Sequence, residues 1–223
     1  MESLREALQR IGEQVQRTLD ASDEAREDAY PRCREIIRHS ASAIRATHRR
    51  EMEEARQLLQ QIANEVEYLR ERLRAHPEVY HSGMVYDAQK EFAEAALTYA
   101  FLTDGQVPDP ESLHVEPAAY VSGLAEAVGE LRRAVLDFLT EGNLERAMAI
   151  HRLMDDIFFI LVGFDYPDAI TPGLKRRLDM VRGVLERTRA DVYHGRDRSA
   201  LMEKMTELLE ALESLAEEEP CSP

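Results

Sequence analysis

The residues with the types and spacing to do chemistry begin with Glu91 and Glu94, in the stretch Asp87–Phe101 that reads DAQKEFAEAALTYAF. On a helix, residues at this spacing project from one face. Ala93, Ala95 and Ala96 are small beside them, while Phe92, Leu97 and Tyr99 make much of the remaining circumference apolar. A helix apolar nearly all round is a buried one, and buried like charges repel. Partner Arg or Lys side chains, a raised carboxylate pKa, or a hard cation such as Mg²⁺ would each offset that repulsion. Two glutamates at a solvated helix edge are the plainer alternative.

Glu126 and Glu130 form a second acidic pair, one turn apart in AAYVSGLAEAVGELRRA, where Gly123 and Gly129 permit close helix approach. Taken together, the pairs allow two helices to present carboxylates to each other. Such a set suits Mg²⁺ or Mn²⁺, which favour oxygen ligands and keep waters that a phosphate can displace. Paired ions of this kind cleave phosphodiesters by activating water and stabilising the leaving oxygen.

A basic stripe comes next. Arg34, Arg38, Arg45 and Arg49 share one helix face beside His48 and Arg50. A solvated, salt-bridged face accounts for it, and so does phosphate contact, in which guanidinium forks bond backbone oxygens without reading sequence. Lys175, Arg176, Arg177, Arg182, Arg187 and Arg189 carry the same ambiguity. Glu78/His81 and Glu111/His114 have the Glu-x-x-His spacing of di-iron bundles, but they sit beside prolines near helix starts. No Cys/His cluster suits zinc, and no Gly-rich phosphate loop or Ser/His/Asp set is identifiable.

These residues need helices to position them, and helices are what the chain supplies. Ala, Leu, Glu and Arg dominate, Trp is absent and 32% of residues are charged. The spacing Leu4, Leu8, Ile11, Val15, Leu19 predicts an amphipathic opening helix. Ser22–Asp28 is acidic and interrupts that pattern, and Pro31 suits the first turn of a new helix. From Arg32 to about Ala75 neither Gly nor Pro intervenes, which predicts one helix of roughly 65 Å. Further helices are expected over about Glu78–Thr103, Pro117–Glu141 (ended by Gly142-Asn143), Leu144–Phe164 and Leu174–Tyr193. Gly195 should separate the last of these from Ser199–Glu218, whose seam of Leu201, Met205, Leu208, Leu212 and Leu215 is coiled-coil-like. The tail from Glu217 is expected to be disordered. The expectation is an all-α fold of about seven helices with a long first helix. It divides into an N-terminal helix and acidic linker (1–30), a helical domain (31–195) and a C-terminal helix with its tail (196–223).

The net charge of −15 should repel nucleic acid and anionic membranes on average, so any nucleic-acid contact needs a local basic patch or a metal. Cys33 and Cys221 are far apart without metal spacing, which suits a reducing compartment. With neither a signal-peptide pattern nor a long apolar run, the chain is expected to be cytoplasmic and without a membrane partner.

Several stretches resemble the translin family. CREIIRHSASAIRATHRREMEEARQLL (Cys33–Leu59) is similar to its first helix, especially in archaeal-type members. EFAEA (Glu91–Ala95) resembles the Glu-x-x-Glu segment of the translin-associated factor X branch. Ala118–Ala147 resembles the family's Tyr-Leu-x-Gly…Glu-Leu-x-Arg stretch, and Leu174–Tyr193 its C-terminal basic helix. The likeness covers about Pro31–Tyr193 and leaves the terminal helices unmatched. It implies a seven-helix fold that assembles into a hollow, typically octameric shell and binds single-stranded RNA or single-stranded DNA. For the factor X branch it further implies a metal-dependent endoribonuclease with interior acidic residues. Glu91 and Glu94 match that branch's catalytic glutamates. Glu126 falls where the branch has an aspartate, and the extra methylene bears on the metal geometry. Glu130 matches a family glutamate and is expected near the metal. The expected activity is thus Mg²⁺-dependent (or Mn²⁺-dependent) cleavage of single-stranded RNA inside a homo-oligomer. Glu91, Glu94 and Glu126 would be catalytic, Glu130 a further metal ligand, and Arg34, Arg38, Arg45, His48 and Arg49 would bind RNA. A shell that binds single strands without cutting them, or a purely structural bundle, are the alternatives.

Overall fold

Ser3 starts the first helix through a reciprocal capping box. Its hydroxyl accepts the Glu6 N–H at 3.3 Å, and its own N–H donates to the Glu6 carboxylate at 2.8 Å. The computed structural model describes residues 3–218. Helix α1 (Leu4–His48) runs through Ser22–Asp28 and Pro31 without the break expected there. Pro31 lacks the N–H that would bond the Glu27 carbonyl, but both residues face outward, so water can take that partner's place. Asp23, Glu24 and Glu27 form the outer side of the same turns that bury Ala25 and Ala29.

The single helix expected from Arg32 to Ala75 is instead two. Arg50 adopts φ 63°, its N–H bonds the Thr47 carbonyl at 3.0 Å, and the Glu51 N–H reaches Ala46 at 2.9 Å. This is the left-handed closure that usually employs glycine; here an arginine makes it. Helix α2 (Met52–Arg72) then runs back along α1, with Arg32 bonding Glu65 at 2.8 Å and Tyr68 donating to Asp28 at 3.1 Å. A single turn, α3 (Pro77–Tyr80), precedes α4 (Gly83–Leu102), so the helix expected from Glu78 is divided near its start. Cys33, Ile36, Ile62, Val66, Leu69, Val85 and Phe92 pack between α1, α2 and α4. As its composition implies, α4 is buried on most of its circumference.

After the loop over 103–116 comes α5 (Pro117–Thr140), ended by Gly142 at φ 77°. Asn143 caps α6 (Leu144–Val162) by accepting the Arg146 N–H at 3.1 Å. The last helix, α7 (Leu174–Glu218), passes straight through Gly195, where a break was expected. A Cβ there would lie 2.6 Å from Leu139 Cδ2, so this glycine serves close packing against α5 rather than ending a helix. Among the described residues the fold is all-α with seven helices, as expected.

The chain forms two compact units. One takes in the residues up to Ala127 together with Asp165–Arg177, and the other Val128–Phe164 and the chain from Leu178 onward. In the second, Arg132 ties α5 to α7 by bonding Thr188 at 2.9 Å and pairing with Asp191 at 2.8 Å. The stripe Leu4, Leu8, Ile11, Val15, Leu19 is exposed, and so are Leu201, Met205, Leu208 and Leu212. Leu215, Cys221 and the tail fall outside the described side chains. No helix among the described residues is long and apolar enough to cross a membrane.

Candidate metal centre and basic face

Gly123 sets the geometry of the acidic site. A Cβ at this position of α5 would lie 2.7 Å from the Lys90 carbonyl oxygen, 2.8 Å from Ala93 Cβ and 2.8 Å from the Glu94 nitrogen. The two helices therefore meet backbone to backbone. A hydrogen bond of 2.7 Å between Ser122 Oγ and the Tyr86 hydroxyl fixes their register. Three residues beyond Gly123, Glu126 projects toward the face of α4 that carries Glu91 and Glu94.

One oxygen from each of Glu91, Glu94 and Glu126 lies within 4.8 Å of the others. Among the described residues no other group of His, Cys, Asp or Glu side chains is placed to hold a metal. Glu94 is buried, and Glu91 and Glu126 are half-buried. Glu130 lies outside the cluster, in the other unit. The donor set is all carboxylate, the chemistry of a hard divalent cation such as Mg²⁺ or Mn²⁺, so the residues present fit the metal expected here.

Two cations accompany the carboxylates, and the separate readings of the acidic pairs and the basic groups did not connect them. Lys90 Nζ donates to Glu126 Oε2 at 2.6 Å and to Glu91 Oε1 at 2.9 Å. Burial pushes the Lys90 pKa down, but the bonds to Glu126 and Glu91 outweigh it and leave the ammonium above the ordinary lysine value. Arg177, in the first turn of α7, donates from Nε to Glu126 Oε1 at 2.9 Å and from Nη1 to the Pro172 carbonyl at 2.7 Å. Gly173 makes room for it: at φ 69°, any Cβ there would lie 2.9 Å from Arg177 Nη1. The loop before α7 is held in turn by Asp168, which accepts the Gly173 N–H at 2.7 Å. A lysine beside Glu91, on a helix expected to be buried, was the available signal for Lys90. Arg177 had none beyond its basic segment.

The arginine stripe lies on the outward face of α1 and at its end. Arg34 stacks 4.4 Å over the Tyr30 ring and bonds its hydroxyl at 2.8 Å. Arg45 bonds Ser42 at 2.9 Å. Arg38 pairs with Glu35, and Arg49 with Glu51 at 2.6 Å. His48 is half-buried beside them. Exposed pairs of this kind are worth about 0–1 kcal/mol, little enough for a phosphate to replace the carboxylate. Of the other basic group, Lys175, Arg182 and Arg189 pair with Asp165, Asp179 and Asp155. The Glu-x-x-His segments join no metal-capable group among the described residues. Glu78 accepts from Ser22 at 2.7 Å, and His114 lies 2.7 Å from Glu67.

The sequence profile of the translin family matches residues 2–196. The chain belongs to the translin family. It is 33% identical over 172 residues, 76% of either chain, to the uncharacterized protein MJ0175 of Methanocaldococcus jannaschii. It is also similar to AfC3PO, with a TM-score of 0.77 and 33% identity, covering 83% of this chain and 97% of the other. AfC3PO in complex with duplex RNA gives a TM-score of 0.77 and 32% identity, covering 83% and 96%. Apo-NeC3PO, at 21% identity and a TM-score of 0.73 over 84% and 96%, shares the fold. The match extends beyond the segments that carry the resemblance and includes the whole of α1.

Proposed function

We propose that this translin-family protein is a metal-dependent endoribonuclease that cleaves single-stranded RNA inside a homo-oligomeric, octameric shell in the cytoplasm. The observation that carries the reading is the gathering of Glu91, Glu94 and Glu126 from two helices onto one site. The RNA-bound state of AfC3PO supports RNA as the ligand class. Glu91, Glu94 and Glu126 would hold Mg²⁺ or Mn²⁺. When bound, the cation supplies Lewis-acid activation of water and charge stabilisation at the leaving oxygen. Carboxylate oxygens not engaged by the cation would accept hydrogen bonds from a water at the site and orient it for attack. Arg177, fixed by Glu126 and Pro172, presents its guanidinium beside the same carboxylates, where it can steady a phosphate. Arg34, Arg38, Arg45 and Arg49, with His48, would grip the strand through its phosphates, with little sequence preference.

A second reading, a shell that binds RNA without cutting it, draws on Lys90 and Arg177, which already offset much of the cluster's charge. One assay separates the two. Labelled RNA, single-stranded or duplex, is incubated with Mg²⁺, Mn²⁺ or EDTA and either wild type or Glu91→Gln/Glu94→Gln. Cleavage that needs metal and is lost in the variant, with RNA affinity retained, is expected. Wild-type cleavage rates in the variant would remove these glutamates from the chemistry. Tight binding with no cleavage under any metal would leave the binding module.

A further inference from the structure

Lys90 occupies a cation's place. Its Nζ bridges Glu91 Oε1 on α4 and Glu126 Oε2 on α5, and its side chain is only 10% exposed. A divalent ion in this cluster would need an oxygen of each of these same carboxylates at about 2.0–2.6 Å. An ammonium and a divalent ion sharing the same carboxylates would stand within several ångströms of each other, in a partly buried setting where repulsion is poorly screened. That repulsion favours one of them giving way.

The two resident cations differ in how they are held. Arg177 has Glu126 on one side and the Pro172 carbonyl on the other, and Gly173 shapes the space beneath its guanidinium. Lys90 Nζ bonds the Glu91 and Glu126 carboxylates from the end of a flexible four-carbon stem. Its head can swing while α4 stays in place. Resting on the metal-centre reading above, we propose that Lys90 is the site's resident counter-ion. It holds Glu91 and Glu126 together until a divalent cation takes its place, and its ammonium then turns outward to meet the phosphodiester. Three things follow. The carboxylates are assembled before metal arrives, metal affinity is lowered by the competing lysine, and a cationic donor reaches the substrate phosphate only in the metal-loaded protein.

The chain's lysines are Lys90, Lys175 and Lys204, which makes the release directly measurable. The side chains of Lys175 and Lys204 are 78% and 74% exposed and serve as internal references. Full-length wild type is lightly reductively methylated with EDTA or with saturating Mn²⁺, and each site is quantified by mass spectrometry. Lys90 should react at least about tenfold more slowly than the references without metal, and Mn²⁺ should accelerate it several-fold while leaving them unchanged. Unchanged or slower Lys90 labelling in Mn²⁺-loaded protein would overturn the proposal. In parallel, Mn²⁺ binding is followed by electron paramagnetic resonance without RNA. Lys90→Met should bind Mn²⁺ about tenfold more tightly than wild type, since it removes the competing charge. Equal or weaker binding would reject the counter-ion role and leave the metal centre standing, whereas absence of Mn²⁺ binding by wild type would defeat both. The labelling arm uses the unaltered protein, so it decides the matter even where Lys90→Met folds poorly.

Discussion

Gly123→Ala is the most direct test of how the fold builds the site. The added methyl would sit 2.7 Å from the Lys90 carbonyl oxygen and 2.8 Å from both Ala93 Cβ and the Glu94 nitrogen. Ordinary contacts of such atoms are about 3.5–4.0 Å, so α4 and α5 would have to separate by roughly 1 Å. Two of the three neighbours are backbone atoms that cannot turn aside. The cost therefore falls toward the upper end of the ~1–3 kcal/mol typical of overpacking. Alanine's better helix propensity returns up to about 1 kcal/mol. The net loss of ~2 kcal/mol corresponds to a fall of roughly 4–8 °C in Tm for a chain of this size. Gly129→Ala on the same helix is the control: nothing lies within 4 Å of its Cβ, so it should be neutral or slightly stabilising. Thermal unfolding followed by circular dichroism at 222 nm measures both. The separation also draws Glu126 away from Glu91 and Glu94, so Mn²⁺ affinity should fall about tenfold or more in Gly123→Ala alone. Equal Tm values for Gly123→Ala and wild type, or a larger loss for Gly129→Ala, would refute the close-approach argument.

Other outcomes follow from the same structure. Replacing Arg34, Arg38, Arg45 and Arg49 by Gln should weaken RNA binding alike for unrelated sequences and flatten the salt dependence by about 0.7 for each phosphate no longer gripped; an unchanged slope assigns the stripe to its salt bridges. Cys33 is fully buried, and burial pushes its thiol up from 9.0 to about 11. Its protonated form is favoured in the fold, so its contribution is constant below about pH 9 and is lost as pH rises toward 11, by about 2–3 kcal/mol in all. Urea titrations at pH 8 and pH 11 should therefore show a smaller stability loss for Cys33→Ala than for wild type, and parallel losses would contradict this. Leu208→Asp with Leu212→Asp should dissociate the assembly, because two exposed apolar side chains in the α7 seam are replaced by charge. Light scattering that shows an unaltered mass would place the subunit contacts elsewhere.

The helices were legible because their apolar spacing is strong, and their ends were not, for reasons particular to each. The turn at Arg50 uses a residue that gives no sign of a left-handed conformation. Pro31 advertises a helix start but lies on the outer face, where its missing hydrogen bond costs little. Gly195 reads as a break and is instead a contact with Leu139. In the site, Glu91 and Glu94 were recognisable from their helical spacing in an apolar stretch, and Gly123 from the close approach it allows. Lys90 pairs with Glu126 across 36 residues, and Arg177 with the same glutamate across 51. No local pattern records such partnerships, which exist only once α4, α5 and the start of α7 are in place.

The Ala93–Gly123 contact also constrains how relatives of this protein can diverge. Position 123 cannot gain a side-chain atom without the helices parting, because the room there is already taken by α4 backbone as well as by Ala93. Glycine should therefore be retained at 123 even where position 93 becomes glycine, because the Lys90 carbonyl and the Glu94 nitrogen remain in the way. Glu91, Glu94 and Glu126 meet only while that close approach is kept, so they should change more slowly among relatives than the exposed arginines on α1.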